Sequence, residues 1–112
     1  MPELFLTGPA QEGIERLEGD PAFERLLGRV NEALDLVERR PGSAEARRLR
    51  FRDPPSWGIG VSAGDHDFIV TWMSAGDFAA WADPAEAAAL SSVIGDDVSS
   101  WAIVLYVGPR PR

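Results

Sequence analysis

The sequence lacks cysteine, lysine and any long apolar run, and it has a single histidine. Without cysteine there are no disulfides and no thiolate metal ligands, and a cytoplasmic location is favoured. No apolar run approaches the roughly 20 residues of a membrane span, and Met1-Pro2-Glu3 does not begin a secretory signal. No membrane association, cofactor or metal site is therefore predicted, and His66 is interpreted as a solvated turn residue.

The charge is strongly negative but unevenly distributed. Eleven arginines oppose 18 acidic residues, for a net charge of −7, which weighs against nucleic-acid binding because phosphate contacts need cationic surface. Residues 39–52, however, contain six arginines and one acid, whereas residues 53–106 contain eight acids and no arginine. This asymmetry predicts a local basic stripe, which is either a binding surface or a solvated face that pairs with acids on neighbouring helices.

Apolar residues at three- and four-residue spacing predict a long helix over Pro21–Arg39. Asp20 is the predicted cap and Pro21 the first helical residue. A shorter helix is predicted over Ala10–Glu18, and another after the cap-plus-proline start at Asp83. The apolar stripe of the long helix comprises Phe23, Leu26, Leu27, Val30, Ala33, Leu34 and Val37.

Alternating side chains predict the strands. Leu4–Thr7 is a short edge strand, and Arg47–Arg52 a basic one in which Leu49 and Phe51 look inward. Trp57–Ser62 and Asp67–Met73 form a hairpin around the turn at residues 63–66. Trp101–Val107 is a strand buried on both faces. Because sequential side chains alternate, Arg48, Arg50 and Arg52 are expected in one row about 7 Å apart.

The element order and several motifs resemble the RelE/ParE superfamily of bacterial toxins. The motifs are Ala46-Arg47-Arg48-Leu49, Trp57-Gly58-Ile59-Gly60-Val61, Phe68-Ile69-Val70-Thr71-Trp72 and Val104-Leu105-Tyr106-Val107-Gly108-Pro109-Arg110. The resemblance implies one α+β domain over residues 1–112, with N-terminal helices packed on a twisted, mostly antiparallel four-stranded sheet. The segment between the last two strands is longer than the tight hairpin usual in the family.

The resemblance also implies a function. Such a protein is the toxin of a toxin–antitoxin module, inhibits translation by ribosome-dependent mRNA cleavage or inhibits DNA gyrase, and is neutralised by an antitoxin protein. An endoribonuclease of this kind stabilises charge with basic residues and needs an acid or base. The implied catalytic residues are Arg48, Arg50, Arg52 and Arg110, and the implied binding residues are Arg47, Tyr106 and Arg112.

Several assignments stay open from sequence alone. Tyr106 is either a hydroxyl at the site or a core residue of its strand, and three of the four tryptophans are expected in the core rather than stacked on bases. Asp96-Asp97 does not amount to a calcium loop. The alternative function is a non-catalytic module that binds a protein partner through the arginine row.

Overall fold

The computed structural model describes residues 3–52, 55–95 and 101–110. The five strands in these ranges are β1 (Glu3–Leu6), β2 (Leu49–Arg52), β3 (Pro55–Ala63), β4 (His66–Ser74) and β5 (Trp101–Pro109). The four α-helices in the same ranges are α1 (Gly8–Glu18), α2 (Glu24–Arg39), α3 (Ala75–Trp81) and α4 (Pro84–Ile94). A 3₁₀ turn at Pro21–Phe23 leads into α2. The α+β fold class is confirmed.

The strands form one mixed sheet in the order β1-β5-β4-β3-β2. The β2–β3, β3–β4 and β4–β5 pairs are antiparallel, and β1 pairs with β5 in parallel. The described sheet therefore has five strands rather than the expected four, although most of its pairings are antiparallel. The β3–β4 hairpin turns at Gly64-Asp65, where Gly64 has a φ of 60° that favours glycine.

Helices α1 and α2 cover one face of this sheet. Asp20 caps the 3₁₀ turn that leads into α2, since its carboxylate accepts a hydrogen bond from the Ala22 N–H at 2.9 Å. The α-helix itself begins at Glu24 rather than at Pro21. Val30 is fully buried, whereas Leu27 and Leu34 are only half-buried at the border of the core. The helix residues that fill this core are Ala10, Leu17, Leu26, Val30, Ala33 and Val37.

Helices α3 and α4 pack on part of the opposite face. Ser74 and Asp83 cap them through side-chain oxygens that accept from the N–H groups of Asp77 and Glu86. The apolar side of α4 is narrow, because Leu90 is buried while 58% of Val93 is exposed. The buried core of this second layer consists of Met73, Ala75, Phe78, Leu90, Ile94 and Ile103.

A β-bulge in β5 changes which residues face each layer. Thr71 pairs with Tyr106 but Trp72 pairs with Val104, so Leu105 is an extra residue in the ladder. Val107 consequently joins Val104 in the core under α1 and α2, while Leu105 packs in the second layer. An unbroken alternation along β5 would place Val107 on the same face as Leu105, and the extra residue at the bulge reverses that placement.

Candidate functional site: an arginine cluster at the sheet edge

The basic strand β2 forms one edge of the described sheet. Its register pairs Arg50 with Trp57 and Phe51 with Ser56, so Arg50 lies on the α2 side and Phe51 on the opposite side. Phe51 is 37% exposed, and the expectation that it looks into the core is wrong, because neither α3 nor α4 covers this edge. Arg48 lies in the bend just before Leu49, the first residue of β2.

Arg47 and Arg50 converge on one aromatic ring. Their guanidinium carbons lie 5.1 and 4.5 Å from the centroid of the Trp57 ring, within the range of cation–π attraction. Arg47 Nε also donates a hydrogen bond to the Pro41 carbonyl at 2.9 Å. These contacts position two cationic side chains on a half-buried tryptophan without neutralising either charge.

Arg48 lies just before the edge strand β2, whereas Arg110 follows β5, which is separated from β2 by β4 and β3. They share a pocket of about 240 Å³ with Gly60 and Asp67. The backbone N–H of Arg110 donates a hydrogen bond to the Asp67 carbonyl at 2.9 Å. A guanidinium nitrogen of Arg110 lies 3.6 Å from the position that a β-carbon on Gly60 would occupy. The absent side chain at Gly60 therefore leaves room for Arg110 to reach across the sheet.

The five residues Arg47, Arg48, Arg50, Arg52 and Arg110 are termed the arginine cluster. In the described ranges none of them forms an ion pair; the ion pairs found there join Arg29 to Glu32 and Arg39 to Asp35 on α2. Unpaired guanidinium groups offer planar, bidentate hydrogen bonding to phosphates and carboxylates. The cluster is thus suited to an anionic partner.

Other candidates lie elsewhere or fall outside the described residues. The Tyr106 hydroxyl donates to the Pro109 carbonyl at 3.1 Å, and the ring lines a different cavity. The exposed His66 ring stacks edge-on against Phe23, with centroids 4.9 Å apart. Trp72 is buried and its indole N–H donates to the Ala46 carbonyl at 2.8 Å. Arg112 and the Asp96-Asp97 pair lie outside the described residues.

Sequence reasoning missed an apolar cleft on the second face, between β2, the sheet and the α3–α4 layer. This sheet cleft has a volume of about 720 Å³. Its aromatic lining comprises Phe5, Phe51, Phe78, Trp81 and Tyr106. The five aromatics come from four elements, β1, β2, α3 and β5, so no local pattern in the sequence indicates the cleft.

No family model, curated protein or solved structure matches this chain. The described helices include none that is long and apolar enough to cross a membrane. Across residues 3–52, 55–95 and 101–110, no three histidine or carboxylate side chains are grouped so that they could hold a metal ion. The arginine cluster and the sheet cleft are the two candidate sites among the described residues.

Proposed function

We propose that this chain is the toxin-like component of a bacterial toxin–antitoxin module, with a RelE/ParE-like fold, and that it acts by holding an anionic target in the arginine cluster. The observation that carries the proposal is the group of five arginines without ion-pair partners among the described residues, in a chain of net charge −7. Unpaired clustered charge opposes folding through self-repulsion, and a bound anion would relieve that repulsion.

Two further observations support the toxin-like assignment. The helices α1 and α2 lie between β1 and β2 in the chain, and β5 lies between β1 and β4 in the sheet, in keeping with the element order on which the resemblance rests. Arg48 and Arg110, both implied site residues, line one pocket. The added helices α3 and α4 account for the long segment between β4 and β5.

Within this proposal, binding is favoured over rapid RNA cleavage. Cleavage by a 2′-hydroxyl builds up negative charge on the phosphate, which basic residues stabilise. The Asp67 carboxylate lines the pocket with Arg48 and Arg110, and its negative charge opposes that stabilisation. Tyr106 and His66 are engaged in other contacts. The target would be ribosome-bound mRNA or an acidic surface of DNA gyrase.

The second candidate is a non-catalytic module that binds an acidic protein. The stacking of Arg47 and Arg50 on Trp57 favours it, because arginine and tryptophan dominate the binding energy of many protein interfaces. In this case the same cluster contacts carboxylates rather than phosphates, and no growth inhibition is expected.

Induced expression in bacteria tests the proposal. The parent chain should arrest growth, and co-expression of the protein encoded beside it should restore growth. Replacing Arg48, Arg50 and Arg52 together by glutamine should abolish the arrest. The matched control replaces Arg16, Arg29 and Arg39, which removes equal charge from α1 and α2 and should leave the arrest intact.

The level of soluble protein must be equal in all strains. Normal growth with abundant soluble parent chain would reject the toxin-like function. Growth arrest by the triple glutamine variant that is as strong as arrest by the parent chain would show that these arginines are only a solvated face.

A further inference from the structure

The sheet cleft has the dimensions and lining of a small-molecule site. Its volume of about 720 Å³ falls within the roughly 300–1,000 Å³ typical of ligand pockets. It is floored by Ile69 and Thr71 of β4 and walled by Phe51 of β2 and Leu90 of α4. Three elements therefore enclose it, so it is a concave site rather than an uncovered sheet face.

The lining is aromatic and carries one charge. Phe5, Phe51, Phe78, Trp81 and Tyr106 supply ring faces and edges, which favour an aromatic ligand through offset and edge-on packing. Glu86 is the charged side chain among the described lining residues, and it makes no ion pair with another described residue. An unpaired carboxylate beside aromatic rings attracts a cation.

Polar groups in the cleft are few. The Thr71 hydroxyl is half-buried in its floor and makes no hydrogen bond to another described side chain or carbonyl. Thr7, by contrast, donates to the carbonyls of Val104 and Leu105, and Tyr106 to that of Pro109. The Thr71 hydroxyl and the Glu86 carboxylate would therefore serve to fix the orientation of a ligand in this cleft.

We infer that the sheet cleft binds a small aromatic molecule with one cationic end, whose rings pack on Phe51, Phe78 and Trp81 and whose charge meets Glu86. The site is separate from the Arg47 and Arg50 part of the arginine cluster, since these two side chains lie on Trp57 on the other side of the sheet. Binding here does not depend on the proposed toxin-like function.

Three probes of one shape and different charge test the inference by calorimetry. They are 2-naphthylmethylamine, 2-naphthylmethanol and 2-naphthoate. The amine should bind with a submillimolar Kd, at least fivefold more tightly than the alcohol, and the anion most weakly. Glu86→Gln should make the amine and alcohol equal without changing the affinity for the alcohol.

Two exposed alanines of α4 provide a blocking variant and its control. Ala89 lines the cleft and Ala88 does not, so Ala89→Trp should weaken amine binding at least tenfold while Ala88→Trp changes it less than twofold. Both positions are exposed, and equal melting temperatures will show that both variants fold. The triple arginine variant should bind the amine like the parent.

Other outcomes overturn the inference. Equal or tighter binding of the anion, no binding of the amine at 1 mM (about −4 kcal/mol), or unchanged binding by Ala89→Trp would each do so. A dimer in solution that Ala89→Trp converts to a monomer would assign the cleft to a second copy of the chain instead.

Discussion

Gly13 lies where α1 crosses β5, at the closest approach between a helix and the sheet. A β-carbon at this position would overlap the backbone carbonyl of Val107, and backbone cannot move aside as a flexible side chain can. A glycine within a helix ordinarily weakens that helix. In the fold, the same glycine lets α1 pack directly on β5.

Gly13→Ala should therefore lower the free energy of unfolding, by about 1–3 kcal/mol, the cost of an overpacked core. The matched control is Gly28→Ala on α2, where a β-carbon would meet no atom within 4 Å. That change should raise stability by about 0.5–1 kcal/mol. Urea denaturation of the two variants measures both effects, and equal shifts of the same sign would contradict the contact at Gly13.

At the scale of elements, the helix starts and the hairpin were predictable because their signals are local. The cap at Asp20, the cap at Asp83 and the turn at Gly64 are each encoded within a few residues. The bulge at Leu105 was not, since it arises from how β5 pairs with β4. The meeting of Arg48 and Arg110 also depends on strand order, which joins residues distant in sequence.

The cap of α4 gives a prediction at this scale. Asp83→Ala removes the acceptor for the Glu86 N–H, at present 2.9 Å from Oδ1, and should lower the free energy of unfolding by about 1 kcal/mol. Asp83→Asn keeps an acceptor and should cost only a few tenths of a kcal/mol. Thermal unfolding distinguishes the two, and indistinguishable melting temperatures for the alanine and asparagine variants would show that the cap contributes nothing.

For the molecule as a whole, the arginine cluster is a small cationic region on a strongly acidic protein. An anion must approach it against long-range repulsion, which salt screens within about 8–10 Å under ordinary conditions. Salt therefore has two opposing effects on binding. It screens the repulsion by the whole chain, and it reduces the free energy gained when a bound polyanion releases its counterions.

Affinity for a single-stranded RNA oligonucleotide should nonetheless fall as salt rises, because counterion release dominates when phosphates are contacted directly. If three phosphates are neutralised, the logarithm of the binding constant should decline with a slope of about −2 against the logarithm of salt concentration. The triple variant of Arg48, Arg50 and Arg52 should lose this salt dependence of RNA binding. Poly-glutamate serves as a comparison polyanion that carries carboxylates instead of phosphates. A rise in RNA affinity with salt would show that repulsion prevails and that phosphates are not the partner.

The parallel pairing of β1 with β5 has a consequence for how the protein is made. Glu3 of the first described strand pairs with Trp101 of the last, and β5 separates β1 from the remainder of the sheet. During synthesis, β1 and α1 leave the ribosome long before the strand on which both of them pack. Loop closure of this length is entropically costly and slows folding. The sheet can close only after β5 has emerged, so β1 and α1 wait for about 100 further residues before their packing is complete.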